Sequence, residues 1–453
     1  MRTDARLATL AAAVAPRLSG RVSEVRGLAV HARGLAVAVG TTVHLERSGG
    51  RDPVPAEVVG FEGGDCVLLP LASADSLRRG DRARVESASS SATLPVGPGL
   101  LGRVIDALGR PLDGLGPLRG GIPRPLDAAP PEACGRGLIE KPFATGVRAI
   151  DGLTPMGRGQ RLGVFAPPGV GKSTLLAACA RGCVADVVVV GLIGERGREV
   201  NEFVERTLGP EGLKRAVVVV ATGDEPAPMR IRAARAATAV AEHFRDAGQA
   251  VLLLMDSVTR FAQAQREVGL AAGEPPATRG FPPSVFASLP RLLERAGPGA
   301  PPVGGGPAGS ITALYAVLVE GEDAAADPIA DACRGVLDGH LVLDRKLAER
   351  GHYPAIDCPA SISRVAPHVI DPEHDAARLR VLRLLAAHRE VEDLVNVGAY
   401  AAGSNPDADR ALAAKPAIDT FLRQGLTGNT APPAFAATRS QLLALAAMAS
   451  APA

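Results

Sequence analysis

A chain of 453 residues is longer than one ordinary domain and implies two or three. Its 50 basic and 48 acidic residues leave a net charge of +2, which excludes a strong global field for nucleic acid or an anionic surface. Hydrophobic residues make up 46%, enough for a sizeable core, whereas aromatics make up only 3% and Phe61 is the sole aromatic before Phe143.

The N-terminal run Leu7–Ala15, following Arg2 and Arg6, resembles a short signal peptide. However, Leu7, Leu10, Val14 and Leu18 fall on one helical stripe with Arg2, Arg6 and Arg17 around it. Residues 1–19 therefore read as an amphipathic helix, placed to touch a membrane or a partner or to cap its own domain. No apolar run is long enough to cross a bilayer. The six cysteines lack a CxxC pair or histidines at metal spacing, and read as buried thiols of a reducing cytosol.

Residues 20–90 read as a small all-β barrel. Strands are expected over Val22–Val30, Leu35–Leu45, Ala56–Phe61 and Cys66–Leu71, with Arg82–Val85 as a further candidate. Leu101–Pro142 is rich in Gly and Pro and suits a surface connector. Parallel α/β alternation then begins, so residues 91–366 are expected to form a domain with helices on both faces of a parallel sheet. Strands are expected at Arg161–Ala166, Val187–Gly194, Ala216–Ala221, Val251–Met255 and Ile311–Val319, and one ending near Ile362. Helices are expected at Lys172–Val184 and Pro228–Asp246. Residues 367–453 turn helical, with Leu379, Leu382, Leu385 and Val391 on one helix and Leu442–Met448 in another.

Between the first of these strands and its helix lies Ala166-Pro-Pro-Gly-Val-Gly-Lys-Ser-Thr174, a phosphate-loop pattern with Ala in place of the first Gly. Gly169 and Gly171 allow the backbone to bend so that successive N–H groups, including that of Val170, face phosphate oxygens at a helix N-terminus. Lys172 supplies an ammonium for the β- and γ-phosphates, and the Ser173 hydroxyl, followed by Thr174, suits Mg²⁺. The strand Val251–Met255 ends in Asp256, where a doubly wound sheet presents ligands, so this carboxylate is placed to hold the Mg²⁺ shell, a role compatible with capping the next helix before Ser257. Glu195 closes its own strand similarly. It is placed to polarise an attacking water, unless it is one member of an ion-pair cluster with Arg196, Arg198 and Glu199. Arg364, after Ser361-Ile-Ser, is the type of group that a neighbouring subunit lends to a phosphoryl transfer, although most arginines are ordinary surface residues.

Further blocks make the chain similar to the type III secretion ATPases, the family that drives injectisome and flagellar protein export and itself resembles the catalytic subunits of rotary ATP synthases. They include Gly109–Asp113, Thr145–Gly152, Gly169–Leu176, Ile193–Val200, Asp256–Phe261, Gly273–Ala287, Leu337–Leu343 and Gly351–Asp357. The resemblance implies a RecA-like ATPase using ATP and Mg²⁺, with Glu195 as the catalytic carboxylate, Arg196 and Arg260 near the phosphates, and Arg364 as a finger from the next subunit. It places Tyr353 against the adenine with Tyr400 on the other side; either tyrosine alone would equally suit a half-buried core. It further implies a homohexamer at the cytoplasmic face of an inner-membrane export apparatus, handling export substrates and their chaperones. A central stalk protein in a channel lined by Gly269–Pro283 and a peripheral regulator complete the implied set of partners.

Pro167-Pro168 stand where the family usually has Gly-Ser. Prolines donate no N–H, which leaves phosphate binding to the donors from Gly169 onward. Two other readings share the nucleotide fold. A ring RNA translocase of the transcription-termination type needs an aromatic, basic N-terminal platform that the first 140 residues lack, and an inactive ring subunit is at odds with intact Lys172, Ser173, Glu195, Asp256 and Arg364. No nucleic acid is expected as a partner. Gly269–Glu274 and Leu289–Gly297 tilt the reading toward an injectisome rather than a flagellum.

Overall fold

The computed structural model describes residues 18–48, 52–85, 92–300, 307–319, 327–426 and 432–448. Of the amphipathic helix expected over residues 1–19, residues 1–17 lie outside them.

Strands β1 (Ser19–Arg26), β2 (Ala29–Arg33), β3 (Thr42–Glu46), β4 (Val54–Glu62), β5 (Asp65–Pro70) and β6 (Arg82–Arg84) close into a barrel in the order β1-β2-β5-β4-β3-β6. Its interior follows from alternation: Val43 and Leu45 on β3, and Val54, Ala56 and Val58 on β4, meet Val22, Val30 and Leu68 in one core. The single strand expected over Val22–Val30 is instead a hairpin, because Gly27 takes a positive φ of 61° and reverses the chain between β1 and β2.

The connector also holds a strand that its Gly and Pro content conceals. Strands β7 (Thr93–Val96), β8 (Arg103–Asp106) and β9 (Ile122–Pro125) follow the barrel; β7 pairs with β9, whereas β8 joins the central sheet. Carboxylates fix it there. Asp113 accepts from Arg103 Nε and Nη2 at 2.7 and 2.9 Å and from the Val104 N–H at 3.0 Å, while Asp106 accepts from the Leu108 and Arg110 N–H groups at 2.9 and 2.8 Å. The Gly109–Asp113 block thus has a structural role.

A short pair, β10 (Pro142–Phe143) and β11 (Met156–Gly157), flanks the helix Arg148–Leu153. The central sheet is then completed by β12 (Arg161–Ala166), β13 (Val187–Glu195), β14 (Ala216–Thr222), β15 (Ala250–Asp256), β16 (Gly297–Pro298), β17 (Ser310–Leu318), β18 (Gly339–Val342) and β19 (Ile362–Ser363). Its order is β19-β18-β12-β17-β15-β13-β14-β8, with β16 attached to β17. Neighbours from β18 through β8 are parallel; β19 runs antiparallel on β18 and β16 antiparallel on β17.

Both faces are covered, so the strands read as continuous apolar runs whose alternate residues enter different cores. Val187 and Val189 pack with the helices Ala227–Asp246, Val258–Ala271 and Pro283–Leu293. Val188 and Val190 pack on the other face with Leu175, Leu176 and Ala180 of the helix Lys172–Gly182 and with residues of the C-terminal helices.

Those C-terminal helices are Pro372–Asn396, Pro406–Leu422 and Phe435–Met448. Asp371 and Asn405 cap the first two, each accepting two first-turn N–H groups, and the prolines that follow sit where no N–H is needed. Pro406–Leu422 was not among the expected helices. Its first half buries only the small Ala408 and Ala411, the large Ile418, Phe421 and Leu422 come at its end, and Pro416 lies inside it, so its helical stripe is weak in sequence.

Candidate active site

The phosphate loop emerges from the carboxyl end of β12, and the helix Lys172–Gly182 starts directly from it. Gly169 and Gly171 have φ of 82° and 90°, a region that side-chain-bearing residues rarely adopt, which is why this turn requires glycine. No side chain caps the helix, so its first-turn N–H groups are not engaged by a capping residue.

Lys172 extends from that first turn to the Asp256 carboxylate at the end of β15 and also lies 3.6 Å from Glu195 Oε1. The helix after Asp256 is capped by Ser257, whose hydroxyl accepts from the Arg260 N–H at 3.3 Å. Asp256, only 4% exposed, is therefore not spent as a cap.

Glu195 owes its aim to an irregularity in β13. The pairing with β14 shifts register between Ile193 and Glu195, with Gly194 at φ 73°. A Cβ at Gly194 would stand 2.9 Å from Cβ of Arg260, so glycine also lets the Arg260 stem pass beside the carboxylate. Burial first, then the Asp256 charge, pushes the Glu195 carboxyl up to about 7, with Lys172 opposing. The arginines that follow do not hold it: Arg196 pairs with Glu199 at 3.3 Å and Arg198 with Glu202 at 3.1 Å, while Glu199 itself bears on Glu195 and adds to the rise of its carboxyl.

Arg260 bonds Gln263 at 3.1 Å, while its Nε is buried without a hydrogen-bond partner. Arg196 has 82% of its side chain exposed and pairs with Glu199. Arg364 follows β19 at the sheet edge, on the far side of β18 from β12. Its side chain is exposed, and among the described residues Nη2 reaches only the Arg334 carbonyl, at 3.5 Å.

Beside the loop lies a cleft of about 440 Å³ lined by Gly169, Val170, Gly171 and Thr174 on one side and Tyr353, Pro354 and Ala355 on another. Tyr353 is 44% exposed, and its ring carbons would lie 3.6 and 3.7 Å from a Cβ at Gly171. Tyr400 does not line this cleft; its single O–H is shared between the Asp409 carboxylate at 2.9 Å and the Asn405 carbonyl at 3.2 Å, which ties it to the start of Pro406–Leu422. The cleft's third wall is formed by Gln424, Gly425 and Leu426, just past the end of that helix.

The model of the ATP synthase alpha/beta family nucleotide-binding domain matches residues 146–363, and that of the T3SS EscN ATPase C-terminal domain matches residues 370–444. The chain is 52% identical over 413 residues to a flagellum-specific ATP synthase of Pseudomonas aeruginosa, covering 91% of this chain and 90% of that one. It is 51% identical over 418 residues to a type 3 secretion system ATPase of Xanthomonas euvesicatoria, covering 92% of each. The chain belongs to the type III export ATPase family.

Among solved structures, this export ATPase is similar to the assembled EscN ATPase of the enteropathogenic E. coli type III secretion system. The TM-score is 0.86 at 42% identity, over 94% of this chain and 100% of that one. It is also similar to EscN in complex with its central stalk EscO, with a TM-score of 0.83 at 42% identity over the same shares. Membership makes the export ATPase a nucleotide-hydrolysing enzyme, with the barrel, central sheet and C-terminal helices as its architecture.

Sequence reasoning missed one residue of the export ATPase cleft that does much to hold it. Gln424 donates its backbone N–H to the Tyr353 carbonyl at 2.9 Å, accepts from the Arg148 N–H at 2.9 Å and donates to the Gly146 carbonyl at 2.8 Å. A glutamine after a helix end carries no local signal for such a role. Its proximity to the Thr145–Gly152 block exists only in the fold.

Among the described residues no helix is long and apolar enough to cross a membrane, and no cluster of three or more His, Cys, Asp or Glu could hold a metal ion unaided. The hydroxyl of Ser173 and the carboxylate of Asp256 are hard oxygen donors of the type Mg²⁺ takes when phosphates and water complete its shell. They fit the ion as a companion of the nucleotide.

Proposed function

We propose that this chain hydrolyses ATP in a homohexameric ring and that the hydrolysis drives release and unfolding of type III export substrates and their chaperones. One observation carries the reading. Lys172, Glu195 and Asp256 converge beside the phosphate loop, while Arg364 stands exposed at a sheet edge with no carboxylate or phosphate-loop partner among the described residues. A chain with both halves suits a head-to-tail ring in which each copy completes its neighbour's site.

In this site the N–H groups of residues 169–173 hold the phosphates, and Lys172 shifts from the carboxylates toward the β- and γ-oxygens. Tyr353 offers an aromatic face to the base, opposite the wall at Leu426. Ser173 and Asp256 would hold Mg²⁺, which when bound supplies charge neutralisation on the transferring group. Glu195, with its carboxyl held near 7, orients water and accepts its proton. Arg364 of the adjacent copy, with Arg260 and Arg196 nearer their own phosphates, stabilises the charge of the transition state.

The export system is taken as an injectisome on the runs Gly269–Glu274 and Leu289–Gly297 alone, since relatives of both kinds stand at 52% and 51% identity. The EscN–EscO complex supports a stalk protein in the ring channel, with Gly269–Pro283 lining it. The ring is placed at the cytoplasmic face of the inner membrane with a peripheral regulator. Phosphate release per chain should rise with protein concentration and reach a plateau as rings assemble. Full specific activity from monomers at high dilution contradicts the shared site.

A further inference from the structure

Arg181 lies in the last turn of the phosphate-loop helix Lys172–Gly182, behind the nucleotide cleft rather than in it. Its two terminal nitrogens donate to carbonyls from distant parts of the fold, Nη1 to Thr207 and Nη2 to Leu426. Leu426 closes the third wall of the cleft. Thr207 belongs to the π-helical turn Phe203–Leu208, which continues the helix Gly197–Glu202 that starts just past Glu195. Thr174 lines both the cleft and the depression of about 810 Å³ that Arg181, Thr207 and Arg215 border, so the two spaces share the first turn of the helix.

The rest of that wall is bonded to the nucleotide domain's own frame: Gln424 bonds Gly146, Arg148 and Tyr353, and Arg148 Nη2 donates to the Arg423 carbonyl at the end of Pro406–Leu422. Arg181 adds a polar link from the wall to the segment that follows Glu195, beside the apolar packing of Phe203 and Leu208 with Leu175 and Leu176. Each carbonyl takes a different terminal nitrogen, a use of the guanidinium's fixed fork of donors that a lysine ammonium on its flexible stem does not reproduce in the same geometry. The π-helical turn is a further mark, since such departures from α geometry concentrate at functional sites.

We propose that Arg181 is a positioning residue that straps the base-facing wall at Leu426 to the segment following Glu195, so that filling the cleft and aligning the catalytic carboxylate are coupled. The proposal rests on the reading of the cleft and of Glu195 given above. When the base seats against Leu426, the strap holds Thr207 and with it the helix that begins at Gly197. Without the strap, the base still binds but no longer orders the carboxylate's segment.

The test is a double-mutant cycle on the assembled full chain, with R181A, R181K, L426A, R181A/L426A and R181K/L426A, each normalised to its folded fraction by thermal melting. Binding is read separately with a fluorescent ADP analogue. R181A and R181K should lower kcat at saturating ATP by about tenfold, the scale expected when a catalytic group is slightly misplaced. L426A should lower kcat in the presence of Arg181 and add nothing in the R181A background, because the link it acts through is already cut. R181K carries the cycle if R181A does not fold. Additive losses in kcat, or kcat of both Arg181 variants within about twofold of the parent, overturn the proposal and leave Arg181 a purely structural residue. Turnover by E195Q, or failure of the ADP analogue to bind the parent chain, overturns the reading of the site instead.

Discussion

The Lys172 ammonium donates to the Asp256 carboxylate across the sheet, from the loop after β12 to the end of β15 with β17 between them. With Glu195 Oε1 a further 3.6 Å contact, the lysine is held by two acids that a phosphate must outbid. Replacing it by methionine leaves Asp256 with its side chain only 5% exposed and its cation gone. K172M should lose about 3 kcal/mol of unfolding free energy measured without nucleotide, the order expected for breaking a mostly buried pair. It should also show no rise in melting temperature when ATP is added. An unchanged denaturant midpoint would show that the pair does not close in solution.

Glu195 sets a pH dependence with a definite sign. Its carboxyl is raised to about 7 and must be ionised to accept a proton, so lowering the pH below that value removes the working form. The value of kcat/KM for ATP, which reports the free enzyme, should fall about tenfold per pH unit below neutrality and level off above it. A flat profile across that range is inconsistent with Glu195 as the base. E195Q should retain nucleotide binding and lose turnover.

Tyr353 and Tyr400 should separate cleanly. Y353A removes the aromatic face beside Gly171 and should weaken nucleotide binding by ~1–3 kcal/mol, whereas Y353F keeps the ring and should bind as the parent does. Y400F should leave affinity unchanged, because the hydroxyl it deletes bonds Asn405 and Asp409 outside the cleft. Titration with a fluorescent nucleotide decides, and an equal loss for Y353F would assign the effect to the hydroxyl.

Acid should loosen the β8 edge. Hydrogen bonds from Arg103 hold the Asp113 carboxyl down at about 2, below its ordinary 3.8. A depressed carboxylate stabilises the fold above its unfolded value and loses that contribution as pH falls through the folded one. The stability gap between the parent and D113N should therefore be full above about pH 4 and close toward pH 2. Urea midpoints across that range measure it; a gap that widens with acid contradicts the assignment.

What the sequence made legible is what is chemically local. The phosphate loop, Glu195 and Asp256 each sit at the end of an apolar strand, so pattern and chemistry coincide within a few residues. The barrel strands were legible as alternation, but Gly27 could break one expected strand in two because a turn needs only one residue with positive φ. Strand β8 hid in a Gly- and Pro-rich stretch because it is held by Asp113 and by pairing with β14, neither of which leaves a local apolar run. The third wall of the cleft was least legible. Leu426 is an ordinary leucine brought beside Tyr353 by a helix of weak amphipathic pattern, whereas the resemblance pointed to the more conspicuous Tyr400.

Mixing two inactive variants tests the shared site most directly. K172A lacks a working loop but keeps Arg364; R364A lacks the finger but keeps the loop. Co-assembled in equal amounts, they should regain ATPase activity, since about a quarter of the interfaces then join an intact loop to an intact arginine. Mixed rings of confirmed composition that stay as inactive as either variant alone would contradict the account.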